Sequence, residues 1–252
     1  MNALILAAGY ATRLYPLTLN KAKPLLEVGG KPIIEWLADH LVKIDDLETI
    51  LIVTNDKFAS DFQAWACQYQ HDHPRARFNV VNDGSTSDDN KLGAIGDINL
   101  VLTRENLMGD NLLVLAGDSL FSASLRGFVE FARNTEATVA LYDVGDLEAM
   151  KKYACVTTDA SGVITQFEEK PQKPTTTLAA IALYYYSKPI LPLFVTYLSG
   201  GNNPDQPGRF LQWLYKRKPV KTYEIKGQWL DIGSKETLEA ADKMFSSPKT
   251  AK

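Results

Sequence analysis

Leu6-Ala-Ala-Gly-Tyr-Ala-Thr-Arg-Leu-Tyr-Pro-Leu-Thr18 continues the apolar run that begins at Ala3, so a strand passes directly into a turn of small residues ending on Thr12 and Arg13. Backbone N–H groups in such a turn can approach an anion closely, and an arginine at its end can fork onto phosphate oxygens. The turn is not a dinucleotide fingerprint, because Ala11 and Leu14 stand where its later glycines belong. It is not a Walker A loop either, since no Gly-Lys-Ser or Gly-Lys-Thr follows.

Working outward, short apolar runs alternate with amphipathic segments through residue 143. Strands are expected at Ala3 to Leu6, Thr49 to Val53, Phe78 to Val81, Leu112 to Leu115 and Ala137 to Tyr142. Helices are expected between them at Ile33 to Ile44, Phe58 to Tyr69, Leu92 to Arg104 and Ser122 to Asn134. This is the rhythm of an α/β protein: an open, mostly parallel twisted sheet with helices on both faces. Polar or Gly-rich segments follow the first four strands, at the carboxyl ends where open sheets bind ligands. Beyond Tyr142 come shorter strands at Cys155 to Thr158, Val163 to Phe167 and Leu178 to Tyr186, read as a small added mixed β layer. Helices at Pro189 to Tyr197, Arg209 to Lys216 and Lys235 to Phe245, and a strand at Val220 to Ile225, complete one domain. Residues 1–143 are expected to form its main core, 144–245 an added half and 246–252 a tail.

The 252 residues are 45% hydrophobic and 23% charged, a composition that excludes disordered and collagen-like chains. The formal charge of −3 provides no global field for nucleic acid or an acidic membrane, so neither is expected as a partner. Any anion must be held locally, and Arg13, Lys21, Lys23 and Lys31 oppose Glu27 alone in the first 31 residues. Cys67 and Cys155 lack metal or disulfide spacing; both read as buried, in a protein of a reducing, cytoplasmic compartment. The run from Ala3 to Ala8 has no basic leader and is too short for a signal core, and no stretch reaches the length of a membrane span.

Ten residues beyond Arg13, Lys23 opens Lys-Pro-Leu-Leu-Glu-Val, followed by Gly30-Lys-Pro-Ile-Ile-Glu35. Together with the opening turn this resembles the signature of the sugar-1-phosphate nucleotidylyltransferases, the pyrophosphorylases that make NDP-sugars. Leu115-Ala-Gly-Asp118, Phe167-Glu-Glu-Lys-Pro171 and Trp229-Leu-Asp-Ile-Gly233 are similar to three further motifs of that family. The resemblance implies a Rossmann-like nucleotidyltransferase fold over residues 3 to 245, with no residues left for the hexapeptide-repeat domain of some relatives. It implies nucleotide contacts from Leu6, Ala8, Gly9, Tyr10, Ala11, Thr12, Arg13, Asn82 and Gly93. It implies acceptor contacts from Asp118, Ala154, Glu169, Lys170, Ala182 and Tyr184, with Mg²⁺ held by Asp118 and Asp231. The resemblance further implies that Arg13, Lys23 and Lys170 carry the catalytic charges, and that the substrates are an NTP and a phosphomonoester, sugar 1-phosphate foremost. Assembly into a homo-oligomer stays open.

Departures from the family pattern bear on the substrate. Ala11 replaces a glycine near the phosphates and tests whether that backbone needs positive φ. Ala154 and Ala182 also replace glycines, each adding a methyl to the acceptor pocket, and Leu178-Ala-Ala180 removes partners for sugar hydroxyls. Tyr184-Tyr185-Tyr186 raises an aromatic cage for a quaternary ammonium, hence a cytidylyltransferase for an alcohol phosphate such as phosphocholine. Strand alternation, which sends Tyr185 to the opposite face, favours core packing instead. Asn82 to Gly93 reads as a mobile lid, His71 and His73 as a solvated helix end, and Asp205 to Arg209 as either an acceptor-side segment or a turn into a helix. A non-catalytic regulatory homologue is the remaining alternative, disfavoured by the presence of every charged site residue. A nicotinamide-dependent dehydrogenase is disfavoured by the missing glycines.

Overall fold

The computed structural model describes residues 1–246, so all but the first residue of the expected tail lies outside the described residues. The chain begins with β1 (Asn2–Leu6), then a small ribbon of β2 (Glu27–Val28) and β3 (Lys31–Pro32), then α1 (Ile33–Leu41). There follow β4 (Ile50–Thr54), α2 (Ala59–Asp72), β5 (Phe78–Asn82), α3 (Ala94–Arg104) and β6 (Leu112–Ala116). Next are β7 (Ser119–Phe121), α4 (Arg126–Ala132), β8 (Ala137–Asp143), α5 (Leu147–Met150), β9 (Ala154–Thr158), β10 (Ile164–Glu169) and β11 (Leu178–Tyr186). The described chain closes with α6 (Pro192–Ser199), α7 (Pro207–Leu214), β12 (Lys221–Glu224), β13 (Trp229–Asp231) and α8 (Lys235–Ser246).

The expected fold class is borne out. β6, β1, β4 and β5 pair in parallel in that order. The side chains of the central strands alternate between two cores. Ala3, Ile5, Ile50, Ile52, Leu113 and Leu115 pack against α1, α2 and α4 on one face. Leu4, Leu51, Val53, Leu112 and Val114 pack against α3, α6 and α7 on the other. Strands buried on both faces read as continuous apolar runs, which is why their positions are legible.

The added strands extend this same sheet. The carboxyl half of β11 pairs antiparallel with β6 through Leu183↔Leu115 to Tyr186↔Leu112. Its amino half runs past the carboxyl end of β6 and pairs there with β9 through Ala180↔Ala154. β10 then pairs with β9 through Glu169↔Ala154. The β9–β10 ribbon therefore stands over the carboxyl ends of the parallel strands, where the turn after β1 also emerges.

Several boundaries depart from expectation. The helix expected at Ser122 to Asn134 is shortened to α4, because Ser122 continues the β7–β13 pairing, its N–H donating to the Gln228 carbonyl at 3.0 Å and its hydroxyl accepting the Gln228 N–H at 2.7 Å. Cys67 is exposed on α2 rather than buried; Cys155 is buried as expected. The cationic cluster is dispersed: Lys21 pairs with Glu27, while Lys31 pairs with Asp39 and lies 4.0 Å from the Trp36 ring centre. The Asn82 to Gly93 segment carries hydrogen bonds within itself and an ion pair to Asp205. The Ser85 backbone N–H donates to Asp83 at 2.7 Å, Ser87 and Asn90 form a capping box, and Lys91 pairs with Asp88 and Asp205. His71 and His73 are exposed, as expected.

Asp97, in the first turn of α3, is buried, and one of its oxygens has no hydrogen-bond partner. Burial, reinforced by the neighbouring Asp83, pushes its carboxyl up to about 8. A carboxyl raised in the fold holds a proton that the unfolded chain has lost, so it reduces stability as pH rises from about 4 to about 8. Asp97→Asn should therefore melt higher than the parent at pH 9, by at least about 3 °C given that 1 kcal/mol moves a domain of this size by about 2–4 °C. The two melting temperatures should converge near pH 4, which a thermal melt series across pH measures.

Candidate active site

The turn after β1 is held by its own backbone and by a neighbouring strand. The Asn55 amide donates to the Ala8 carbonyl at 3.0 Å, the Leu14 N–H donates to the Ala11 carbonyl at 3.0 Å, and the Thr18 hydroxyl reaches the same oxygen at 2.8 Å. Ala11 sits at φ 49°, ψ 43°, in the left-handed region that favours glycine. The structure thus answers the question the sequence posed: the backbone here does need positive φ. Arg13 is exposed at the end of the turn, and Tyr10 is buried with its hydroxyl unpartnered.

Lys23 enters from a single 3₁₀ turn, Lys23–Leu25. Its ammonium pairs with the Asp118 carboxylate and donates to the Ile232 carbonyl at 3.0 Å. Asp118 follows Gly117 at the end of β6, and this glycine permits close approach. A Cβ there would lie 2.8 Å from the Leu6 carbonyl oxygen and 3.0 Å from Pro24. Asp231 is brought alongside by the antiparallel pair β7–β13, in which Asp231 stands opposite Ser119, while the Ile232 N–H donates to the Asp118 carbonyl at 3.0 Å. The Asp231 carboxyl is pushed up to about 6 by burial first and by Asp118 second, against the pull of Lys23, Arg13 and Lys170. Two acids and three cations from five separated stretches of sequence therefore act on one another at one point.

Two adjoining cavities meet at Asp118, sharing Ala116, Asp118 and Pro207. The smaller, of about 190 Å³, is lined by Leu6, Gly9, Ala11, Lys23 and Ala94 among others. The larger, of about 340 Å³, is lined by all six expected acceptor residues, Asp118, Ala154, Glu169, Lys170, Ala182 and Tyr184, and by Asp231. Lys170 follows β10 with φ 49° and donates its backbone N–H to the Tyr153 carbonyl at 3.0 Å. A non-glycine residue held in that region is the kind of local strain that concentrates at functional sites. Burial pushes the Glu169 carboxyl up, against the pull of Lys170 and Arg209.

Not every expected contact lies at these cavities. Of the nucleotide-side residues, Leu6, Gly9 and Ala11 line the smaller one, whereas Ala8, Tyr10, Thr12, Arg13, Asn82 and Gly93 do not. The Asn82 amide is engaged elsewhere, donating to Asp56 at 2.7 Å while its oxygen accepts the Gly84 N–H at 2.8 Å. Gly93 has φ +78°, and a Cβ on it would lie 2.7 Å from the Pro204 carbonyl oxygen, so its glycine serves the packing of α3 on residues 204–205. The aromatic cage is not formed. Tyr185 faces the opposite core, and Tyr186 packs edge-on against Phe194 and Phe210, so of the three tyrosines Tyr184 reaches the cavity, where Tyr153, Phe167 and Trp229 are the other aromatic walls. The Asp205 to Arg209 segment is both things at once: a turn into α7, and through Gln206, Pro207 and Gly208 a cavity wall. Lys152 and Ser119 also line the larger cavity and carried no signal in the sequence beyond their adjacency to Tyr153 and Asp118.

A family model described as nucleotidyl transferase matches residues 2–247. The chain belongs to the nucleotidyl transferase family. Among relatives, a bifunctional protein GlmU of Methanocaldococcus jannaschii is 27% identical over 234 residues, covering 92% of this chain and 51% of that protein. The chain thus spans about half of that relative's length. A protein of Haloferax volcanii named UTP–glucose-1-phosphate uridylyltransferase AglF is 25% identical over 258 residues, covering 99% of this chain and 98% of its own. A crystal structure of a UDP-glucose pyrophosphorylase complexed with UDP-glucose superposes with a TM-score of 0.80 at 23% identity over 97% of both chains, sharing the fold. Among the described residues, no helix is long and apolar enough to cross a membrane.

The left-handed alanine in the turn of this family member makes a direct prediction. Ala11→Gly removes a steric cost of about 1–2 kcal/mol, partly offset by the added freedom of glycine in the unfolded chain. The variant should melt a few degrees higher than the parent in differential scanning calorimetry, whereas Ala11→Val should melt lower.

Proposed function

We propose that the protein condenses an NTP with a sugar 1-phosphate to give an NDP-sugar and pyrophosphate. The observation that carries this reading is the meeting of two cavities at Asp118, with Lys23 and the small-residue turn on one side and a lysine and a carboxylate, Lys170 and Glu169, on the other. A phosphate oxygen of the acceptor attacks the α-phosphate in line, and the bond to the leaving pyrophosphate breaks. The nucleophile is already ionised near neutral pH, so no general base is required. Catalysis is then positioning and neutralisation of charge. Arg13, free at the end of the turn, holds the leaving pyrophosphate. Lys23, whose charge already stands at the junction, offsets charge at the α-phosphate. Lys170 aligns the acceptor phosphate.

The donor set suits Mg²⁺. Two carboxylates from separate segments, with Asp118 disfavouring ionisation of Asp231, offer hard oxygen ligands, and Mg²⁺ uses one or two carboxylates together with substrate phosphates. Asp118 and Asp231 would hold it, and when bound it would supply charge neutralisation and orientation of the phosphates. The free thiols Cys67 and Cys155 support a reducing, cytoplasmic setting.

Asp118→Asn should lower kcat by about 10²-fold or more, the scale of losing a preorganised charge, while the melting temperature stays near that of the parent. Pyrophosphate release with each NTP and a sugar 1-phosphate measures this, and undiminished turnover would remove Asp118 from the mechanism. Lys170→Ala should raise KM for the acceptor by about tenfold or more with KM for the NTP little changed; the opposite split would reassign that lysine to the nucleotide side.

A further inference from the structure

The floor of the larger cavity is a single row of side chains running across three strands. Residues directly opposite in an antiparallel pair share a face. Ala180 of β11 stands opposite Ala154 of β9, and Ala154 stands opposite Glu169 of β10. Two residues along β11 from Ala180, on the same face, come Ala182 and then Tyr184. All five line the cavity. With strands about 4.8 Å apart, the floor carries one carboxylate at its edge, then three methyl groups over roughly the breadth of a sugar ring, with the Tyr184 ring beyond them. The polar groups of the cavity, among them Lys170, Gln206, Ser119 and the two carboxylates at the junction, belong to other elements and stand around this floor.

From this arrangement we propose that Ala154, Ala180 and Ala182 are specificity-determining residues, and that the acceptor is a sugar 1-phosphate whose ring lies on them by the C–H face opposite its axial phosphate, a face free of axial hydroxyls. The inference rests on the acceptor assignment made above. An axial hydroxyl directed at the floor loses water and meets only methyl groups, and an unpaired buried hydroxyl costs about 1–3 kcal/mol, or roughly 5- to 150-fold in kcat/KM. Equatorial hydroxyls project past the edges of the ring toward the polar groups and escape that penalty. Glu169, at one end of the row, takes hydroxyls at one edge and thereby fixes how the ring sits across the methyls.

The test compares α-1-phosphates that differ at one centre, with Mg²⁺ and the NTP that the protein uses. Glucose presents every ring hydroxyl equatorially, mannose and galactose place one axial hydroxyl on one face, and allose places one on the other. The expected result is that glucose 1-phosphate exceeds mannose and galactose 1-phosphates by at least about tenfold in kcat/KM, while allose 1-phosphate, whose axial hydroxyl lies on the phosphate's own face, stays within a few-fold of glucose. Ala180→Ser or Ala182→Ser, which supplies a hydroxyl partner on the floor, should shrink that penalty severalfold. Equal use of all four acceptors, preference for an axial epimer, or a penalty unchanged in both serine variants overturns the proposal while leaving the transferase reading intact. If no sugar 1-phosphate is used although an NTP raises the melting temperature, the acceptor assignment fails and the proposal with it.

Discussion

Three residues of β13 paired with three of β7 are the constraint on which the site depends. Asp118 and Asp231 are more than a hundred positions apart in sequence, and the short ladder from Trp229↔Phe121 to Asp231↔Ser119 is what sets their carboxylates side by side. The backbone bond from Ile232 to the Asp118 carbonyl extends that ladder by one step, and the Lys23 ammonium closes it by reaching both the Asp118 carboxylate and the Ile232 carbonyl. Bringing two acids together in a partly buried place costs free energy, visible in the raised carboxyl of Asp231. Lys23, Arg13 and Lys170 offset part of it, so the machinery of the site is also what makes the site tolerable to the fold.

The sheet supplies the other half of the arrangement. β11 changes partners along its length, from β6 to β9, and only because it does so can the β9–β10 ribbon carry Glu169 and Lys170 over the carboxyl end of β6. Gly117 lets the segment after β6 lie against the Leu6 carbonyl and Pro24, which keeps Asp118 at the boundary of the two cavities. A phosphoryl-transfer site needs donor and acceptor to approach one point from opposite directions, and this topology provides that point.

Where sequence reading failed, packing or pairing decided against local preference. The cations of the first 31 residues look like one cluster along the chain, yet Lys21 and Lys31 are taken up by Glu27 and Asp39. Gly93 reads along the chain only as the start of a helix, and in the fold it is also a close contact with residues 204–205, whose carbonyls accept the N–H groups of Ala94 and Ile95. Asn82 looks free at a strand end, and it is bound to Asp56 and Gly84. β7 and β13 are too short to show a period, so the motifs containing Asp118 and Asp231 were legible while the ladder joining them was not. Asp97 gave no signal because an acid in the first turn of a helix is ordinarily a solvated, favourable choice.

The sequence by itself determined the central strands, whose apolar runs are what burial on both faces demands, and the opposed faces of Tyr185 and its neighbours, which follow from a period of two. It also determined the family, because the motifs with Arg13, Lys23, Asp118, Lys170 and Asp231 are local strings that need no fold to be recognised. Only the tertiary structure decided which cations face the site, that Ala11 lies in the left-handed region, and that Ala154, Ala180 and Glu169 form one row. The reason is physical: each of these depends on which strand lies beside which, and pairing across long stretches of chain leaves no periodic trace in the residues that take part in it.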